Sequence, residues 1–189
     1  MQILGISGSP RRGGNTEIII NEALRAAAAE GAEVTFLCLS DYQLTPCTAC
    51  RTCFDTKQCT IQDDVETVYQ KILDADGVIL GSPSYFQGLT AQMKTFIDRI
   101  GYLHIARGRK DFEGKVGAAI AVARRTGLAA TWSQMSMFLT ACRMMISSGG
   151  RVFAVARLKG EVMDDTEGIE TARYLGKMMA NTIIATKQT

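Results

Sequence analysis

Four of the chain's six cysteines, Cys47, Cys50, Cys53 and Cys59, fall within thirteen residues in the spacing C-x2-C-x2-C-x5-C. Thiolates two residues apart on a looping backbone can converge on one point, and a fourth closes the cage. Iron–sulfur clusters are held by four cysteine thiolates, and compact C-x2-C-x2-C runs are their usual sequence form. Structural zinc more often takes two ligand pairs separated by a long spacer. The spacing therefore points first to a redox cluster, with zinc, a disulfide pair or four unused thiols as alternatives. Cys38 and Cys142 stand apart, at a strand end and in a helical stretch, and read as core packing.

Two further segments carry binding chemistry. Gly5-Ile-Ser7-Gly8-Ser9-Pro10-Arg11-Arg12-Gly13-Gly14-Asn15-Thr16 joins the first strand to the first helix. It lacks the G-x-G-x-x-G of a dinucleotide turn and the lysine of a triphosphate loop. Small residues, hydroxyls and an amide directly ahead of a helix N-terminus instead suit a phosphate, held by backbone N–H groups and the helix dipole. Arg11 or Arg12 adds charge. The alternative is an ordinary glycine-rich turn. The second segment, Gly81-Ser82-Pro83-Ser84-Tyr85-Phe86-Gln87-Gly88-Leu89, puts two aromatics on an otherwise polar loop. They can flank a flat heterocycle or simply cover a sheet edge. Beside the first loop, they lean toward a flavin.

These loops need a scaffold that brings them together. Short apolar strands are expected at 2–6, 33–39, 77–81, 116–123 and 151–155, and helices at 16–30, 65–75, 90–100, 129–145 and 164–186. Gly31 is placed to end the first helix, and Asp63 or Asp64 to cap the second. The glycine-bounded run Gly77-Val-Ile-Leu-Gly81 suits a central parallel strand buried on both faces. Alternating strands and helices imply one α/β domain over 1–189, a doubly wound five-stranded parallel sheet. With strand order 2-1-3-4-5, ligands sit at the carboxyl ends of the first and third strands, where the two loops meet. Arg124, leaving the fourth strand, forms a third wall. The cysteine segment, 46–60, is inserted after the second strand. The 101–115 stretch reads as a long connection.

Composition bounds the rest. At 189 residues, with 47% hydrophobic and 21% charged residues, the chain is an ordinary globular domain. A formal charge of +2 and 7% aromatics make no case for nucleic acid. No apolar run reaches the length of a membrane span. Residues 1–7 read as a strand that begins at once, so a cytoplasmic location is expected, where clustered cysteines stay reduced. His104, the single histidine, excludes a histidine-rich metal site; it is expected on the surface or packed, with proton shuttling near a flavin as the alternative.

The turn G-I-S-G-S-P-R-x-G-G-N-T and the segment G-S-P-x-Y-F-x-G-x-x-x-x-x-K-x-F-I-D-R, Gly81 to Arg99, resemble the NAD(P)H-dependent FMN reductase superfamily. With the four cysteines added, nearly the whole chain resembles its iron–sulfur flavoproteins. That resemblance implies a flavodoxin-like fold, FMN, and a 4Fe-4S cluster on Cys47, Cys50, Cys53 and Cys59. It further implies FMN phosphate at Ser7, Ser9, Arg11, Asn15 and Thr16, with Pro10 in the same loop. Pro83, Ser84, Tyr85, Phe86 and Gly88 would line the ring, with Arg124 beside it. The implied activity is electron transfer: a one-electron donor such as ferredoxin, then cluster and FMN, then a small-molecule acceptor, in a homodimer or homotetramer. A plain NAD(P)H-dependent FMN or quinone reductase and a zinc-stabilised non-enzymatic flavoprotein are the competing readings.

Overall fold

The computed structural model describes residues 1–187, so the last two positions of the expected 1–189 domain lie outside the described residues. Five strands, β1 (Gln2–Ser7), β2 (Glu33–Cys38), β3 (Gly77–Pro83), β4 (Val116–Ala123) and β5 (Met145–Ile146), form a parallel sheet in the order β2-β1-β3-β4-β5. A sixth, β6 (Val152–Val155), also pairs with β4. β5 takes Val116 and Gly117, and β6 takes Ile120 to Ala123, so two short strands share the fifth position.

The helices are α1 (Asn15–Ala29), the single turn α2 (Cys53–Thr56), α3 (Val65–Asp74), α4 (Ala91–Ala106), α5 (Leu128–Ala141) and α6 (Thr166–Lys187). Alternation along the strands divides the core. Leu4, Ile6, Val78 and Leu80 face α3, α4 and α5, while Ile3, Ile79 and Ile120 face α1 and α6. Burial on both faces is why β3 and β4 are apolar without a break.

Two expected helix ends move by several residues. α4 runs past Ile100 to Ala106, because Leu103 and Ala106 continue the apolar face and Gly101 lies beneath the Phe138 ring. The long connection is thus 107–115. α5 stops at Ala141 rather than Met145: Arg143 takes a φ of 60°, and Met144 N–H turns back to the Leu139 carbonyl. The released Met145–Ile146 becomes β5. Gly31, at φ 89°, ends α1 as expected, with Ala32 N–H donating to the Ala27 carbonyl. Among the described residues no helix is long and apolar enough to cross a membrane.

His104 is packed, not exposed. Its ring stacks on Phe112 at 4.5 Å, and neither nitrogen has a hydrogen-bond partner. Burial holds its pKa below the ordinary 6.5; Asp111 opposes this, and Arg109 and Arg143 add to it. The unfolded chain therefore takes the proton first. Stability is complete above the unfolded pKa and falls by about 1.4 kcal/mol per pH unit below it, down to the folded pKa. Urea unfolding as the pH falls through the ordinary imidazole value of 6.5 is expected to show this loss, and the His104→Phe variant to lack it. Equal slopes in the two proteins would assign the acid sensitivity elsewhere.

Candidate functional site

Two features carry the chain's candidate chemistry, one at the carboxyl edge of the sheet and one beside α4. The first is a cleft between the loops after β1, β3, β4 and β6. Gly8 N–H donates to the Gly81 carbonyl at 2.8 Å, and Thr90 Oγ1 donates to the Gly8 carbonyl at 2.7 Å. Ser84 N–H donates to the Val122 carbonyl at 2.7 Å. These bonds fix the loops against each other.

Ser9, Arg11, Asn15, Thr16, Pro83, Ser84, Tyr85 and Arg124 line this cleft together. The other expected contacts stand apart from its lining. Ser7 is buried beneath the loop, where its Oγ accepts from Ser9 N–H. Pro10 faces solvent. Phe86 is fully exposed, with φ 48°, at the tip of a tight turn closed by mutual Tyr85–Gly88 backbone bonds. Asn15 lines the cleft, but its side chain is occupied: Nδ2 donates to the Leu158 carbonyl at 2.7 Å and Oδ1 accepts from Gly160 N–H at 2.8 Å. Asn15 thereby ties down the loop after β6 and brings in two cations the sequence reading did not place, Arg157 and Lys159. Arg12 turns away to Asp41, at 3.1 Å.

The cleft suits a flavin phosphate and ring. α1 starts at Gly14 with no side-chain cap, so its first N–H groups face an anion's position with the positive helix end behind them. Arg11, Arg124, Arg157 and Lys159 line the cleft, and among the described residues no carboxylate does. Ser84 Oγ is buried without a hydrogen-bond partner, tight against Gly127, where a Cβ would lie 2.1 Å from it.

The second feature is the cysteine segment. Cys47, Cys50, Cys53 and Cys59 line one cavity with Arg99, Tyr102 and Leu103 of α4. Its backbone is shaped by left-handed Ala49, Arg51 and Lys57, at φ 55°, 66° and 62°. Its two ends are pinned: Gln43 N–H to Asp64 Oδ2 at 2.7 Å, Thr45 N–H to Asp63 Oδ2 at 2.8 Å, and Asp64 N–H to the Gln43 carbonyl at 3.0 Å. Asp63 also accepts from Val65 N–H at the start of α3.

The thiols already sit among donors. Ala49 N–H points at Cys47 Sγ at 3.4 Å. The Thr52 N–H, then the Thr60 and Thr52 hydroxyls, bring the Cys50 thiol down to about 7. Burial, and the charges of the other three thiols, push Cys53 up. Among the described residues no three His, Cys, Asp or Glu side chains are gathered tightly enough to hold a single metal ion. The four thiols border one cavity as an all-sulfur donor set, a ligand type that both iron–sulfur clusters and structural zinc accept.

A doubly wound sheet in this order, with a phosphate-ready helix start and a second loop of aromatics at its switch point, defines a flavin-dependent oxidoreductase of flavodoxin-like fold. The chain belongs to the NADPH-dependent FMN reductase family, whose model matches residues 1–157. It is 40% identical to an iron–sulfur flavoprotein of Methanocaldococcus jannaschii, over 97% of each chain. In fold it is similar to a flavone reductase, at TM-score 0.77 and 22% identity, covering 99% of this chain and 64% of that one. A flavodoxin from the domain Archaea superposes at TM-score 0.65 and 13% identity, covering 97% of this chain and 99% of that one.

Proposed function

We propose that this chain is an iron–sulfur flavoprotein in which Cys47, Cys50, Cys53 and Cys59 hold a 4Fe-4S cluster and the cleft holds FMN. The observation that carries the reading is the single cavity lined by all four thiols, in a chain that already has a flavin cleft. When bound, a cluster supplies single electrons and FMN exchanges them singly or as a hydride, which suits transfer between a donor such as ferredoxin and a small acceptor. The residues then divide the work. The open N–H groups of α1, with Arg11, Arg157 and Lys159, fix the phosphate. Pro83, Ser84 and Tyr85 orient the ring, and Arg124 closes its edge.

Cys47 and Cys50 are exposed, beside exposed Arg51 and Lys57. An acidic electron donor would approach the thiol cavity across these two cations. A second copy of the chain is the proposed cover for the apolar face of α4 and α5, where Tyr102, Ile105 and Met137 are exposed.

A reductase using NAD(P)H directly is the second reading, favoured by the family description and by the surplus of cations on the cleft. Anaerobic purification followed by metal, sulfide and flavin assays separates the readings. Iron and acid-labile sulfide with flavin are expected, in particles of two or four chains by light scattering. Flavin alone would support the direct reductase, and zinc a structural metal. Neither iron nor sulfide in the anaerobic protein would end the cluster reading.

A further inference from the structure

Arg99 occupies a position that helix periodicity reserves for an apolar residue. It lies on α4 between Phe96 and Ile100, which are wholly buried, and is itself only 3% exposed. Its guanidinium forms a fork on Asp63, with Nη1 2.7 Å from Oδ2 and Nη2 2.9 Å from Oδ1. Nη1 also donates to the Thr45 carbonyl, and Nη2 to Cys59 Sγ at 3.3 Å. One cation therefore touches the entrance of the cysteine segment, its exit and the most distant of its four thiols. Buried charged side chains without such partners are strongly unfavourable, so a packed helix is a poor place for arginine unless those contacts hold it there.

We infer that Arg99 is the positioning residue of the cysteine site: it closes the segment through Asp63 and Thr45, orients Cys59, and sets a buried positive charge against the thiols. The inference rests on the cluster reading above. Two consequences follow. The contacts that close the loop all run between the protein's own atoms, so the closure itself needs no metal bond. And the Asp63–Arg99 pair, neutral as a whole, makes the local charge adjustable in either direction by a single substitution. Arg99→Gln leaves Asp63 negative, whereas Asp63→Asn leaves Arg99 positive. A buried charge is weakly screened, so each change acts on a reduced, more negative cluster from close range.

The test uses the anaerobically purified protein and the variants Arg99→Gln and Asp63→Asn, with the flavin-to-protein ratio reporting that each has folded. Dye-mediated titration is expected to move the iron–sulfur couple in opposite directions: Arg99→Gln to lower potential and Asp63→Asn to higher. Each shift is about tenfold in the reduced-to-oxidised ratio at fixed potential, about 59 mV for a one-electron couple. Loosening of the loop alone would move both variants the same way. Shifts of the same sign, or none, overturn the charge role; where one variant does not fold, the sign in the other decides.

The metal-free chain supplies the second readout. Trypsin at the exposed Arg51 and Lys57 is expected to cut Arg99→Gln about threefold faster or more than the parent, because the loop's opening free energy falls. Equal cutting overturns the positioning role. A parent protein with no iron and sulfide ends the cluster reading, while the cleavage result still judges whether Arg99 closes the loop.

Discussion

Gly176→Ala is expected to lose more than about 3 kcal/mol of stability, although replacing glycine in a helix ordinarily gains about 0.5–1 kcal/mol. The reversal comes from where α6 crosses α1. A Cβ on Gly176 would lie 1.9 Å from the Ala23 carbonyl oxygen, 2.7 Å from its carbon and 3.1 Å from its Cα. All three are backbone atoms, so no rotamer change relieves the overlap and the helices must separate. Separation opens the core around Ile19, Ile20, Ala172 and Met179, which are buried between them. It also shifts the start of α1, and flavin retention should weaken with it. Gly101→Ala is the internal control. Its Cβ would meet only Phe138 ring atoms, at 3.7 and 3.9 Å, so the helix rule applies and the variant should be slightly more stable. Urea unfolding of both variants measures the contrast, and a stable Gly176→Ala protein would show that α1 and α6 are free to slide.

The close crossing of α1 and α6 illustrates what the sequence leaves out. Strand β4 is readable because eight small or branched apolar residues stand in a row. The carboxyl-edge site is readable because its loops depart from both common nucleotide motifs in composition. Asn15 is legible only as a loop residue, since its partners, Leu158 and Gly160, lie more than a hundred positions away. Without that contact nothing in the sequence brings Arg157 and Lys159 to the cleft. The division of the fifth strand is hidden for a local reason: Cys142-Arg-Met-Met145 looks helical until Arg143 adopts a left-handed turn. Arg99 did leave a signal, a lone cation on the apolar face of a helix. Its partner Asp63 reads, on local grounds alone, as a helix cap, and it does accept from Val65 N–H.

Cys59→Ala is expected to remove the cluster and keep the flavin. Of the four thiols, Cys59 is farthest along the chain from its neighbours, yet it is the one held by a buried cation, and with Cys53 it packs against the core. Its removal deletes a ligand and leaves Arg99 Nη2 facing a gap. Loss of a mere outer-shell partner of a metal site typically weakens binding 10–100-fold, so loss of a proposed ligand should lower iron and sulfide per flavin by about tenfold or more. The flavin-to-protein ratio should not change, because no cysteine lines the flavin cleft. Cys142→Ala provides the opposing result. That thiol is buried in the core and pushed up to about 12 by burial, the state of a packing group rather than a ligand. Its variant should melt at lower temperature yet retain full iron. Iron and sulfide retained in Cys59→Ala would move the fourth ligand away from Cys59. Loss of both iron and flavin would mean that the cysteine segment supports the fold itself, and the separation of the two sites would fail with it.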